Sequence, residues 1–293
     1  MKRILVTGAT GNTGYQVIRY LFRRSTSMEV FAGVRDIERA THVLGDFSSG
    51  LQYVHFDFEH PQTYDSALQN VDAVFLIRPP HISNVKKTFH PLIKKMREKG
   101  IREVIFLSVQ GAGNNSFIPH HKIENEILKQ GLDYIFLRPG YFMQNLLSTL
   151  YPDIHHKRSI VLPAGKALFN WIDVENIAEA AAILLDRFGE YKNNAFDLTG
   201  YQNLSFPEVA SLITRYVSDE VRYIQMDPVR FFLMKRREHQ PAGMIWVMIM
   251  LHFLPRFSKG PVVSSFYEEL TGNRPNTLEE FIARERKKLE PAG

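Results

Sequence analysis

The segment Arg3-Ile-Leu-Val-Thr-Gly-Ala-Thr-Gly-Asn-Thr-Gly14 constrains the fold of this chain more than any other, because an apolar strand runs directly into a glycine-spaced turn that opens a helix. Gly8 allows the sharp exit from the strand, Gly11 lets a phosphate approach the backbone without meeting a Cβ, and Gly14 lets the helix pack close to the sheet. The helix N-terminus then offers unpaired N–H groups to an anion. A strand before, a helix after and a second strand about 30 residues from the first complete the context that such a turn requires. The pattern predicts a dinucleotide-binding turn in which Gly8, Thr10, Gly11, Asn12, Thr13 and Gly14 surround the pyrophosphate.

The second strand, Glu29-Val-Phe-Ala-Gly-Val34, ends where the adenosine ribose is expected, and Arg35 follows it. A carboxylate at that place suits the 2′-hydroxyl of NAD, whereas an arginine suits a 2′-phosphate. Arg35 therefore predicts a preference for NADP(H) over NAD(H). Asp36 is the competing candidate, since a shifted turn would aim its carboxylate at the ribose. The plainer alternative for Arg35 is a solvated loop residue.

Further strands are expected at Leu51–Phe56, Ala73–Ile77, Glu103–Leu107 and Tyr134–Leu137, alternating with helices that include Thr13–Arg24 and Val85–Lys99. Gly100 and Gly131 stand where helices end. This alternation predicts an α/β protein with a Rossmann-like, doubly wound parallel sheet. Residues 1–150 are expected to form the dinucleotide-binding domain, completed by parts of 151–204: a helix over Trp171–Leu185 with Asp173 as N-cap, and a strand at Phe196–Thr199. Residues 205–293 are expected to form a smaller, mostly helical cap, with the substrate cleft between it and the strand C-termini. Asp57, Phe58 and Arg78, each just past a strand, are further candidates for cofactor contact. Arg78 alternatively closes a surface loop.

The chain of 293 residues carries no cysteine, which excludes disulfides, cysteine nucleophiles and thiolate metal sites and fits a reducing cytoplasm. The opening residues read as a first strand rather than a secretory leader. A net charge of +5 is explained as well by an anionic cofactor as by nucleic acid, and no nucleic-acid-binding motif accompanies it. The run Met244–Leu254 is far shorter than the ~20 residues that span a bilayer. It predicts a buried or pocket-lining helix, or alternatively one at a membrane surface, since Arg230, Lys235, Arg236, Arg237 and Arg256 flank it. His120, His121, His155 and His156 lack metal-ligand spacing, and no metal site is expected.

The glycine turn, together with Phe75-Leu-Ile-Arg-Pro-Pro80, Phe106-Leu-Ser-Val-Gln-Gly-Ala112, His120-His-Lys-Ile-Glu-Asn-Glu-Ile-Leu128, Leu137-Arg-Pro-Gly-Tyr-Phe-Met-Gln-Asn-Leu146 and Glu269–Phe281, resembles the NmrA-like family of atypical short-chain dehydrogenase/reductases over nearly the whole chain. The resemblance implies an NADP(H)-binding protein of one of two kinds: a reductase acting on a quinone or similar conjugated carbonyl, or a non-catalytic redox sensor. Conventional short-chain dehydrogenases use Ser, Tyr and Lys, with Tyr four residues before Lys. Here Ser108 and Lys122 match, but the tyrosine position is Ile118, which disfavours the usual alcohol dehydrogenase or nucleotide-sugar epimerase mechanism.

Quinone reduction tolerates that loss, because the acceptor draws hydride strongly and its oxygen can be protonated by a weak donor or water. Lys122 then holds the nicotinamide ribose or an oxyanion, and His120 or His121 donates a proton near neutral pH. Tyr141, Phe142 and Asn145 line the nicotinamide face. The catalytic candidates are thus Lys122, His121, Ser108 and Tyr141. The bland alternatives are a surface ion pair of Lys122 with Glu126, histidines in a helix's first turn, a Ser108 bonded to backbone, and an ordinary core at Tyr141–Met143. The expected partner is a flat, apolar small molecule. The apolar residues of 231–253 serve its pocket, a homodimer interface or a docking protein equally well.

Overall fold

The computed structural model describes residues 1–24, 27–47 and 49–291. Its strands are β1 (Lys2–Thr7), β2 (Met28–Val34), β3 (Leu51–His55), β4 (Ala73–Ile77), β5 (Glu103–Leu107), β6 (Asp133–Pro139), β7 (Tyr141–Phe142), β8 (Ser159–Leu162), β9 (Leu168–Ile172), β10 (Asn194–Leu198), β11 (Asn203–Ser205) and β12 (Arg222–Gln225). The chain divides into two compact units: Met1–Pro139 with Val174–Leu198 and Phe266–Asn273, and Gly140–Asp173 with Thr199–Ser265 and Arg274–Gly293.

The first unit is built on a seven-stranded sheet in the order β3-β2-β1-β4-β5-β6-β10, parallel throughout. This is the Rossmann-like α/β architecture that the alternation of strands and helices predicts. Alternate residues face opposite sides of a strand. Leu5, Val74, Leu76, Val104, Phe106 and Phe136 accordingly join one core with Phe89, Leu92, Ile93 and Met96 of helix Val85–Glu98 and Ile123 and Ile127 of helix Pro119–Lys129. Ile4, Val6, Phe75, Ile105 and Leu137, of the other parity, are equally buried, and helices Asn12–Arg23 and Val174–Asp186 pack on each other.

Gly100 and Gly131 end two of these helices as expected, at φ of 79° and 67°. Gly100 N–H donates to Arg97 O and Ile101 N–H to Met96 O, both at 3.0 Å, which satisfies carbonyls the helix would otherwise leave bare.

The second unit holds a three-stranded sheet, β11-β9-β7, a two-stranded one, β12-β8, and helices that include Tyr151–Lys157, Phe206–Thr214, Pro228–Arg237, Ala242–Phe253 and Leu278–Leu289. Its core gathers Tyr141, Phe169, Trp171, Phe206, Phe231, Ile245 and Phe281. Trp171 and Ile172 end β9, so the helix expected from Trp171 begins only at Val174. Helix Phe266–Thr271 belongs to the sheet unit, where the Phe266 ring stacks on Phe196 of β10 at 3.9 Å and the Tyr267 hydroxyl accepts from Asn176 Nδ2.

Asn170 ties β9 to the turn after β10. Its Oδ1 accepts from Gly200 N–H at 2.7 Å, and its Nδ2 donates to Gly200 O and Asn203 Oδ1, each at 3.0 Å. Gly200 is required beside it, because a Cβ there would lie 2.0 Å from Trp171 O. Asn170→Ala leaves both polar groups of a buried Gly200 unpaired and is expected to cost about 2 kcal/mol. Urea unfolding checks this, and an unchanged midpoint would remove the clamp from the account.

Candidate functional site

The site in the sheet unit lies where strand order reverses, between β1 and β4, at their C-terminal ends. Thr7 fixes that edge: its Oγ1 donates to Phe75 O at 3.2 Å and accepts from Ile77 N–H at 2.8 Å. The chain then turns through Gly8 at φ 60°, a conformation costly for any residue with a side chain. Gly11 N–H donates back to Gly8 O at 3.0 Å. A Cβ on Gly14 would lie 2.3 Å from Gly8 O and 2.8 Å from Ala9 Cα, so only glycine lets helix Asn12–Arg23 start this close to the strand exit.

The helix has Gly11 at its N-cap with no side-chain cap. Its first N–H groups therefore keep their donors for an anion. Gly8, Thr10, Gly11 and Asn12 are exposed, whereas Thr13 and Gly14 are buried under the turn. A turn with glycine at 8, 11 and 14 and an uncapped helix behind it fits the pyrophosphate of a dinucleotide.

Arg35 is exposed just past β2 and makes no hydrogen bond or ion pair among the described residues. Asp36 does not share that freedom. Its Oδ1 accepts from Arg39 N–H at 2.9 Å and caps helix Ile37–Val43. Asp57, past β3, is pushed up by burial, but the Glu59 N–H, His60 and the nearby Arg35 charge outweigh this and hold its carboxyl below the ordinary value. Phe58 is buried among Phe56 and Phe89. Arg78 closes the loop after β4: its NH1 donates to the carbonyls of Pro79, Pro80 and Ile82 at 3.1, 3.1 and 2.6 Å, and its Nε to His120 Nε2 at 3.3 Å.

Helix Pro119–Lys129 carries the remaining candidates of this unit. Lys122 is exposed and unpaired among the described residues, because Glu126 is held instead by His90 at 2.7 Å and Gln130 at 3.1 Å. The i,i+4 ion pair is thus not formed. His121 Nδ1 lies 2.8 Å from Ala112 O. Burial, with the Arg78 charge beside it, pushes His120 down to about 3. It is therefore neutral at pH 7, in contrast to the donor near neutrality expected from its type alone.

Ser108 is sealed at the end of β5, where its Oγ donates to Glu124 Oε1 at 2.6 Å. Glu124, only 4% exposed, also accepts from Arg138 Nε and NH2 at 3.0 and 2.7 Å. Gly113 leaves room for that guanidinium, since a Cβ there would meet Arg138 NH1 at 2.9 Å. This clamp ties β5, β6 and the helix together and commits the serine proton to a buried carboxylate. Sequence reasoning missed Glu124 and Arg138, although both lie in the segments that carry the family resemblance.

In the second unit, Tyr141 is buried edge-on against Phe169, Trp171 and Phe206. Its hydroxyl bonds His252 Nε2 at 3.0 Å, and His252 Nδ1 bonds Met248 O at 2.6 Å. Neutral imidazole with its proton on Nδ1 satisfies both contacts. Burial pushes the Tyr141 hydroxyl up, opposed by a bond to Asn145. Burial also pushes His252 down to about 4, opposed by Met248 O. Phe142 is half-buried beside Ile172 in the β7–β9 pairing. A cavity of about 210 Å³ in this unit is lined by Trp171, Tyr201, Leu204, Glu208 and Arg215. Trp171 Nε1 is already spent on Leu204 O, and Glu208 on the Ser205 cap.

These features define a nucleotide-binding Rossmann-type protein. The chain belongs to the NmrA-like family, whose model matches residues 1–282. It is 29% identical over 280 residues to prestalk A differentiation protein A of Dictyostelium discoideum, covering 95% of this chain and 90% of that one. Against an NAD(P)H azoreductase of Xenophilus azovorans it is 31% identical over 226 residues, covering 75% and 76%. The fold matches the crystal structure of an NADPH-dependent quinone oxidoreductase of Escherichia coli complexed with NADPH, at a TM-score of 0.85, 21% identity and coverage of 96% and 99%.

His252 gives the acid side of the stability curve a definite sign. Between the ordinary value of 6.5 and about 4 the unfolded imidazole takes a proton that the folded one refuses, so stability falls as pH drops through that window, by up to about 1.4 kcal/mol per pH unit. Replacing His252 with Gln is expected to flatten this part of the profile of thermal midpoint against pH. Parallel profiles for the two proteins would show that His252 is not held neutral.

Proposed function

We propose that this protein is an NAD(P)H-dependent oxidoreductase that prefers NADP(H) and passes hydride to a quinone or similar conjugated carbonyl. The observation that carries the cofactor reading lies at the end of β2: Arg35 is exposed and makes no hydrogen bond or ion pair among the described residues, while Asp36 uses Oδ1 to cap a helix. A free guanidinium suits a 2′-phosphate, and the capping bond turns one oxygen of the Asp36 carboxylate toward its own helix. The turn from Gly8 to Gly14 would hold the pyrophosphate against the uncapped helix. Bound nicotinamide would supply the hydride.

What the chain adds for the acceptor follows from what it lacks. Ile118 occupies the place of the tyrosine acid, and the Ser108 hydroxyl is spent on Glu124. Such a site favours an acceptor that needs little help with protons, as a quinone does, since its reduced oxygen can take protons from water. Lys122, the unpaired ammonium on helix Pro119–Lys129, would hold ribose hydroxyls or developing negative charge on the acceptor oxygen. The NAD(P)H azoreductase and the quinone oxidoreductase among similar proteins support the choice of acceptor class.

The same lack of a ready proton donor supports a second reading, a cofactor sensor without turnover. A screen of NADPH oxidation against benzoquinones, naphthoquinones, enones and aldehydes separates the two, with Gly11→Val as the binding-defective control. Saturable oxidation lost in the control supports the reductase. Tight but unequal binding of NADPH and NADP+ without turnover supports the sensor.

Arg35→Ala is expected to weaken NADPH binding by about tenfold or more while leaving NADH nearly unchanged, because only the 2′-phosphate loses a charge-assisted contact. Equal losses in titration calorimetry would remove Arg35 from the phosphate. Lys122→Met is expected to lower kcat/KM by about tenfold or more, and wild-type kinetics would make Lys122 a solvated surface residue.

A further inference from the structure

Helix Ala242–Phe253 contains no charged residue, and it is apolar on both faces. One face is accounted for: Ile245, Met248, Ile249 and His252 are buried in the second unit's core. The other is bare. Trp246, Val247, Met250, Leu251 and Leu254, at spacings of one, three and four residues, form a stripe with exposures of 46–57%, and Phe257 beyond it is 76% exposed. Trp246 touches Phe232 of helix Pro228–Arg237, which itself exposes Val229 and Leu233. A helix apolar all round belongs in a core or in lipid, and a soluble surface rarely leaves such a patch uncovered.

The charge around the patch identifies its occupant. Residues 228–263 contain six basic residues, Arg230, Lys235, Arg236, Arg237, Arg256 and Lys259, against the single acid Glu238. The stretch thus carries a net charge of +5. Lys235 is buried against Asp153 and Glu238, and Glu238 also takes Lys157. Asp227, just before the helix, is spent as its N-cap. The other five basic residues are exposed, with no ion pair among the described residues.

We propose that this face docks the protein on a membrane surface rich in anionic lipid. The apolar stripe enters the headgroup boundary, with Trp246 in the place that interfacial tryptophans occupy, and the arginines meet lipid phosphates. A second copy of the chain is a poorer occupant, because a two-fold interface would set the basic rim of one protomer against the same rim of the other. The proposal is independent of the catalytic reading, since it needs neither cofactor nor turnover.

Vesicle flotation tests it, using phosphatidylcholine alone and phosphatidylcholine with phosphatidylglycerol. The expected result is binding to the anionic vesicles, weakened by salt, with a blue shift of Trp246 emission. Leu251→Glu and, separately, the pair Arg236→Glu and Arg237→Glu are each expected to reduce binding by about tenfold or more. These positions are exposed, and circular dichroism verifies folding. Should Leu251→Glu not fold, the arginine pair decides alone. Absence of binding to anionic vesicles, or binding indifferent to the folded variants, overturns the proposal. So does a dimer in sedimentation velocity that Leu251→Glu dissociates while the wild type ignores vesicles.

Discussion

The contact on which the sheet unit depends is the approach of Gly14 to the carbonyl of Gly8. With 2.3 Å between that oxygen and any Cβ at position 14, helix Asn12–Arg23 can begin against the strand exit only because no side chain stands there. Its nearness sets the direction of the helix axis, aims its uncapped N–H groups at the crevice between β1 and β4, and brings Val17, Ile18 and Leu21 into the interior. Packing and binding thus share one cause. The same absence of atoms that lets the helix close on the sheet opens the backbone to a phosphate.

Polar groups around this crevice fall into two populations, and the division has more meaning than residue type. Ser108, Glu124 and Arg138 satisfy one another in a buried clamp, Arg78 is consumed by its own loop, and Asp36 by a helix cap. Buried polar groups must find partners or cost stability, so these residues serve the fold first. Arg35 and Lys122 have no such obligation. Both are exposed cations left unpaired in a chain where other lysines and arginines, such as Lys2, Arg19 and Lys99, are engaged by carboxylates. What sets these two apart from the other unpaired cations of the chain is their place, just past β2 and on the helix that follows β5.

Much of this was legible in the sequence because the determinants are local. β4 and β5 have the bounds that their apolar runs indicate, and Gly100 announces the end of its helix through a backbone conformation that glycine adopts without penalty. The second unit was poorly legible. β7, β8, β11 and β12 have two to four residues, too few for a period to register. Trp171 and Ile172 merge with the apolar helix that follows, and although Asp173, expected as the N-cap, does stand just before the helix, nothing local marks the two residues ahead of it as strand. Asp173 itself, fully buried and accepting from Gln144, Asn276 and Arg284, draws donors from up to 111 residues away. Likewise, the bond of Tyr141 to His252 spans 111 residues. Contacts of that range leave no periodic trace.

Charge illustrates the same limit at the scale of the whole molecule. A pI near 9.2 suggests a uniformly basic surface open to any polyanion. The charge is instead uneven along the chain, and one of its basic stretches, 228–263 with a net +5, surrounds a helix whose apolar stripe stays bare. Spread evenly, five charges among 293 residues would set only solubility and long-range attraction. Gathered at the rim of an apolar face, they act together with it, because the hydrophobic transfer holds the basic side chains within a Debye length of the opposing charge and the attraction in turn orients the apolar stripe. Neither component needs to be strong alone, which is how a helix too short to span a bilayer can still be matched to its surface.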